Sequence, residues 1–295
     1  MLKFILKIRM ARRLLTHLLI TLAVLSLVAT YFIWVIDATV LNAKKLPTEL
    51  QKSGVSSEVA AVLIERTTRD MTGAEKEQNT AKVAQVITPK YIDKKIQESA
   101  DALITFMKNG SPQPTLDLTD FPGQVRAAGV LLTDEEAAKF DEVIAFNENE
   151  VLNWMPRAYG VLGNAKYAGI VLFVLLLVAE LFISPVGTKL QRTGRIFLHA
   201  SIWFFVLWLS VIFLPFQFAS RAKQAVDDQA LHGLIDAVLG AIRGLFSVQF
   251  LGFAIVCAVV AGILYTLRHT RKHIEKIKEV PTARIKSRRQ VKLPR

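Results

Sequence analysis

The chain of 295 residues is 52% hydrophobic and 21% charged, carries a formal charge of +12 and has a mean hydropathy of +0.35. That is too apolar for an average soluble domain, and the apolar residues are gathered into runs rather than spread. The single cysteine, Cys257, excludes an internal disulfide and a cysteine-based metal site, and its place inside an apolar run makes it a small packing residue.

Residues 1–13 form a basic N-terminus with Lys3, Lys7, Arg9, Arg12 and Arg13, and residues 14–36 form the first apolar run. A signal peptide begins the same way. Here the apolar core exceeds the usual roughly 7 to 15 residues and no A-x-A site follows, so the run reads as an uncleaved anchor.

Residues 37–166 are long enough for a domain with a modest core, and their signals are mainly helical. Thr48-Glu49-Leu50-Gln51 has the form of a capping box, and "SSEVAAVLIERTTRDM" from Ser56 to Met71 places apolar residues at helical spacing behind a serine. The clearest element opens with Thr88-Pro89, closes at Asn109-Gly110, and carries Ile92, Ile96, Leu103 and Met107 on one stripe. The alternation in "SPQPTLDLTDFPG" from Ser111 to Gly123 predicts a short strand or an extended arm. A second capping box, Thr133-Asp134-Glu135-Glu136, predicts a helix with Ala137, Phe140 and Ile144 on one face.

Three more apolar runs of about the 20 residues needed to span a bilayer follow, over residues 167–186, 196–216 and 248–267. Between the last two, residues 217–247 end in "LHGLIDAVLGAIRGLFS", whose one-sided apolar pattern, with Asp236 and Arg243 breaking any spanning reading, predicts an amphipathic helix at the outer interface or packed on the outer domain. Gly240 and Gly244 have the GxxxG spacing that permits close helix contact. Residues 268–295 are a basic tail, predicted helical to Val280 and stopped by Pro281; Arg268, Arg271, Lys272, Lys276 and Lys278 are placed to meet anionic lipid headgroups.

Charge orients the chain. Residues 1–13, the loop 187–195 and the tail 268–295 together carry +17, and the remainder carries −5. By the positive-inside rule both termini and the short loop are cytoplasmic, while residues 37–166 and 217–247 are extracytoplasmic. The expected fold class is mainly α: a four-helix transmembrane protein with a helical extracytoplasmic domain inserted between spans one and two.

Common catalytic signatures are missing from the sequence: no G-x-S-x-G, H-E-x-x-H, Walker loop or paired-glycine fingerprint. Residues 37–166 contain neither histidine nor cysteine, which excludes a histidine-based triad or a histidine-rich metal site there. Asp117 and Asp120 read as solvated loop acids, since a calcium loop needs many more oxygens. No cofactor is expected.

One residue is out of place. Glu180 lies inside "LFVLLLVAELFISPVG", where an ionised carboxylate is costly to hold. At about 1.5 Å per residue it lies roughly 9 Å inside the end of its run, and His199 and His17 fall at about 6 Å from the corresponding ends of theirs. The three form a candidate intramembrane polar cluster, with Glu180 facing the bundle and bonded to His199, or to His17 as second choice.

The stretch "ITPKYIDKKIQESADALITFMKNG" followed by "TLDL", between spans one and two and ahead of three further spans, resembles a group of bacterial four-pass integral membrane proteins with a helical extracytoplasmic domain. The resemblance rests on Thr88-Pro89, Tyr91, Leu103, Gly110 and Leu116-Asp117-Leu118. It implies bacterial origin and an architecture, and no activity. The expected function is a cytoplasmic-membrane binding, sensing or accessory protein, more a binding protein than an enzyme, with a protein partner or homo-oligomer and no nucleic acid. The alternatives are a small oligomeric transporter or channel subunit, and an intramembrane enzyme or redox subunit using Glu180 and His199.

Overall fold

The structure, a computed structural model, describes residues 2–69, 73–111, 115–116, 119–130, 144–145, 150–224, 226 and 230–290. In chain order these form α1 (Leu2–Thr39), α2 (Lys45–Lys52), α3 (Val55–Thr68), α4 (Gly73–Val86), α5 (Pro89–Asn109), β1 (Thr115–Leu116), α6 (Asp120–Ala127), β2 (Ile144–Ala145), α7 (Glu150–Ile183), a 3-10 turn (Val186–Thr188), α8 (Lys189–Gln224) and α9 (Ala230–Gln290). The long helices α1, α7, α8 and α9 are each long and apolar enough to cross a membrane. The chain divides into two compact units, Met1–Thr30 with Ala168–Val206 and Leu251–Arg295, and Tyr31–Tyr167 with Leu207–Phe250.

The first unit is helix on helix. Small residues let α1 and α7 approach: Ser26 Oγ donates to the carbonyl of Gly169 at 3.1 Å, and a Cβ on Gly169 would fall 2.1 Å from Thr30 Oγ1. Between α8 and α9, Ser201 Oγ donates to Ala254 O at 2.8 Å and the rings of Phe204 and Phe253 meet edge to face at 4.9 Å. Cys257 is buried in α9, in keeping with a packing role.

The second unit contains a core of its own. Ala60 of α3, Val83 of α4, Ile92 of α5 and Phe121 and Val125 of α6, together with Ile87 and Val130, form one buried cluster. The start of α5 is fixed as its sequence suggests: Thr88 Oγ1 accepts from the Tyr91 N–H at 3.2 Å, Pro89 takes the first turn, and Gly110 at φ 73° closes the helix. Asp120 ties α6 to α5, accepting from Tyr91 Oη and pairing with Lys95, both at 3.0 Å. That gives Asp120 a structural role. Asp117 lies outside the described residues.

Several boundaries differ from those the sequence suggests. Thr48 does not cap α2; Asn42 does, its Oδ1 accepting from the N–H groups of Lys44 and Lys45 at 3.0 and 3.1 Å, while Thr48 is already helical and bonds back to Lys44 O. Ser56 does not cap α3, which starts behind Gly54 at φ 81°; its hydroxyl donates to Asp93 instead. The alternating stretch forms only Thr115–Leu116, paired antiparallel with Ile144–Ala145, and "DFPG" turns helical because proline is tolerated in a first turn. Ile144 is therefore in a strand, and the capping box Thr133 to Glu136, with Ala137 and Phe140, lies outside the described residues. The loop 187–195 shrinks to a turn, since α8 begins at Lys189. Residues 231–290 form one unbroken helix, which Pro281 does not stop: the strong helix formers Lys276, Lys278, Glu279, Arg284 and Lys286 flank it on both sides.

Candidate functional site

The end of α7 and the start of α8 are joined by a tight turn, Ser184 and Pro185 followed by Val186–Thr188. Because α8 begins at Lys189, Arg192 is helical and stands opposite the last turns of α7. Its Nη1 donates to Ser184 Oγ and to Thr16 Oγ1, each at 3.0 Å, and lies 4.0 Å from Glu180 Oε1. Ser184 spends its one hydroxyl proton on Glu180 Oε1 and uses a lone pair for Arg192, so it bridges cation and carboxylate. Thr16 donates onward to Arg12 O at 2.8 Å, and the Arg12 guanidinium donates to Ile183 O at 2.5 Å. One arginine thus ties α1, α7 and α8 together.

The cluster is closed. Glu180 is 1% exposed, Ser184 4% and Thr16 5%, while the Arg192 side chain keeps 20%. A charge inside a membrane segment costs about 3 kcal/mol on insertion scales. Opposite charges at 4 Å recover about 4 kcal/mol at an effective dielectric of 20. The two terms nearly cancel, so the arrangement fixes helix registration more than it adds stability. Glu180 Oε2 is the exception: it is buried and has no hydrogen-bond partner.

The expected histidine partners are replaced. Glu180 faces inward, but the side chains of His199 and His17 are exposed and neither bonds to it. Four residues make a little more than one helical turn, so depth alone does not fix which face a side chain occupies. Arg192 takes their place: the sequence puts it in the loop 187–195, where it is only a topological charge, and its position eight residues after Ser184 across a turn is the signal that it can reach back to α7.

In the second unit, Gly240 and Gly244 do face another helix. A Cβ on Gly244 would fall 2.7 Å from Glu49 Oε2, one on Gly240 would touch Ser53 Cβ at 3.6 Å, and one on Gly233 would fall 2.1 Å from Glu58 Oε2. Alongside α2, a cavity of about 850 Å³ is lined by Lys44, Gln51, Lys90, Asp93, Lys94 and Gln97 among others. Asp93 is its one acid, and both carboxylate oxygens are engaged, by Gln51 Nε2 at 2.8 Å and by the Ser56 hydroxyl. Lys94 meets only the exposed Glu98, at 3.7 Å, and among the described residues Lys44 and Lys90 pair with no acid. Of the tail residues, Arg271 and Lys272 are exposed, Arg268 keeps its Nε buried, and the side chains of Lys276 and Lys278 lie outside the described residues. No grouping of three or more metal-ligating side chains occurs among the described residues.

No protein-family model, curated protein or solved structure matches the chain. What the fold and clusters define is a mainly helical protein with four helices able to cross a membrane.

Proposed function

We propose that the chain is a bacterial cytoplasmic-membrane binding, sensing or accessory protein, with both termini inside, that engages a protein partner through an extracytoplasmic helical domain over residues 37–166. The observation that carries this reading is the cavity with Lys44, Lys90 and Lys94 and a single, already engaged carboxylate. Such a surface suits an acidic segment of a partner, because among the described residues Lys44 and Lys90 pair with no acid and arriving carboxylates displace only the exposed Lys94–Glu98 contact. The separate core of the α3–α6 segment supports a domain built to present that surface. The closed state of the Glu180 cluster favours anchoring over conduction, since its carboxylate is already engaged by Ser184 and Arg192.

The test is affinity purification from the native host in mild detergent. A partner recovered with the wild-type chain should be lost from Lys90→Glu/Lys94→Glu at unchanged expression. Recovery of the same partner with the charge-reversed chain overturns the assignment of the groove, and a chain recovered only as a homo-oligomer moves the reading to the transporter or channel subunit. A second reading rests on the unpartnered Glu180 Oε2, which leaves one position for a proton or a transient donor.

A further inference from the structure

The second unit holds another cavity, and its chemistry is unlike that of the lysine-lined groove. It measures about 520 Å³ and runs between α8 and α9, walled by Ile212, Pro215, Phe216 and Ala219 on one side and Leu239 on the other. Three charged residues line it. Lys223 and Asp236 satisfy each other at 2.5 Å, which leaves Arg243. Among the described residues Arg243 has no ion pair or hydrogen bond, and a guanidinium cannot shed its proton to become neutral. The groove therefore combines apolar walls and a satisfied Lys223–Asp236 pair with one uncommitted positive charge.

Its position in the chain gives that combination a meaning. Arg243 stands five residues before Val248, where the apolar run of α9 begins, and Phe216 is the last residue of the apolar run of α8. Five residues of helix are about 7.5 Å, so when the apolar runs sit in hydrocarbon the guanidinium lies at headgroup depth.

We propose that the α8–α9 groove is a retained binding site for one phosphate-bearing membrane lipid, with its acyl chains along Ile212, Pro215 and Phe216 and its phosphate on Arg243. A free anion has no use for the apolar walls, and an uncharged lipid leaves Arg243 unanswered. Phosphate oxygens supply the planar, bidentate partner that a guanidinium binds best. The site is separate from the lysine-lined groove, so its failure leaves the partner reading untouched.

Native mass spectrometry of the full chain in a nonionic detergent tests it, with phosphatidylglycerol as probe and diacylglycerol and inorganic phosphate as comparison arms. The wild-type chain should hold one phosphatidylglycerol through detergent removal, and no diacylglycerol. Arg243→Ala and Leu239→Trp, the second filling the cavity with the arginine intact, should each weaken retention by roughly tenfold. Lys108→Ala should leave it unchanged. If Arg243→Ala does not fold, as judged by helical circular dichroism, Arg243→Gln takes its place. Unchanged retention in Leu239→Trp and the Arg243 variant overturns the site, as does diacylglycerol bound as firmly as phosphatidylglycerol. Inorganic phosphate held without lipid overturns the lipid and leaves an anion site only.

Discussion

Arg192 links three segments of the first unit, because its donors reach Thr16 of α1 and Ser184 after α7 and its charge faces Glu180. Removing one member of a buried pair strands the other, which costs about 3 to 5 kcal/mol; with the Arg192 side chain 20% exposed, the lower end applies. Arg192→Ala should therefore lower the melting temperature in detergent more than Glu180→Gln does. The double variant Glu180→Gln/Arg192→Gln should recover most of the loss, and losses that simply add would contradict the pairing. Glu180 was legible as an inward residue because it is the one acid in an apolar run. Its partner was not, since a five-residue turn and a longer loop read alike in "SPVGTKLQR", and only the helical start of α8 aims Arg192 at α7.

Among elements, the ends of α5 were legible, since a threonine cap, a proline behind it and a glycine after Asn109 are local signals; of its predicted stripe Ile92 and Met107 are buried, while Ile104 and Phe106 are buried in place of Leu103. The extent of α9 was hidden by the opposite circumstance. Asp236 and Arg243 interrupt a hydropathy run but not a helix, because helix formation needs backbone pairing and tolerates charge wherever a partner or solvent is at hand. The first turns of α9 lie against the short helices through Gly233, Gly240 and Gly244. Gly244→Leu should push α2 off α9 and expose residues 40–55 to limited proteolysis, whereas Gly252→Leu, with nothing within 4 Å of its added Cβ, should cleave like the wild-type chain. Equal cleavage of the two variants would show that the glycine face does not hold α2.

At the scale of the molecule, the four apolar runs were readable because a bilayer imposes a length and a composition that few other environments do. The lysine-lined groove was not, since Lys44, Lys90 and Lys94 come from segments far apart in sequence and meet only when α2 packs beside α5. Whether that groove can meet an extracytoplasmic partner depends on which side of the membrane it faces. By the positive-inside rule, the +17 carried by residues 1–13, 187–195 and 268–295 predicts those segments inside and the groove outside. Single cysteines at Lys108 and Lys286, in a Cys257→Ser background, measure this directly with a membrane-impermeant thiol reagent on spheroplasts. Labelling at position 108 and none at 286 until the membrane is permeabilised is the predicted result; labelling at 286 and none at 108 would contradict it.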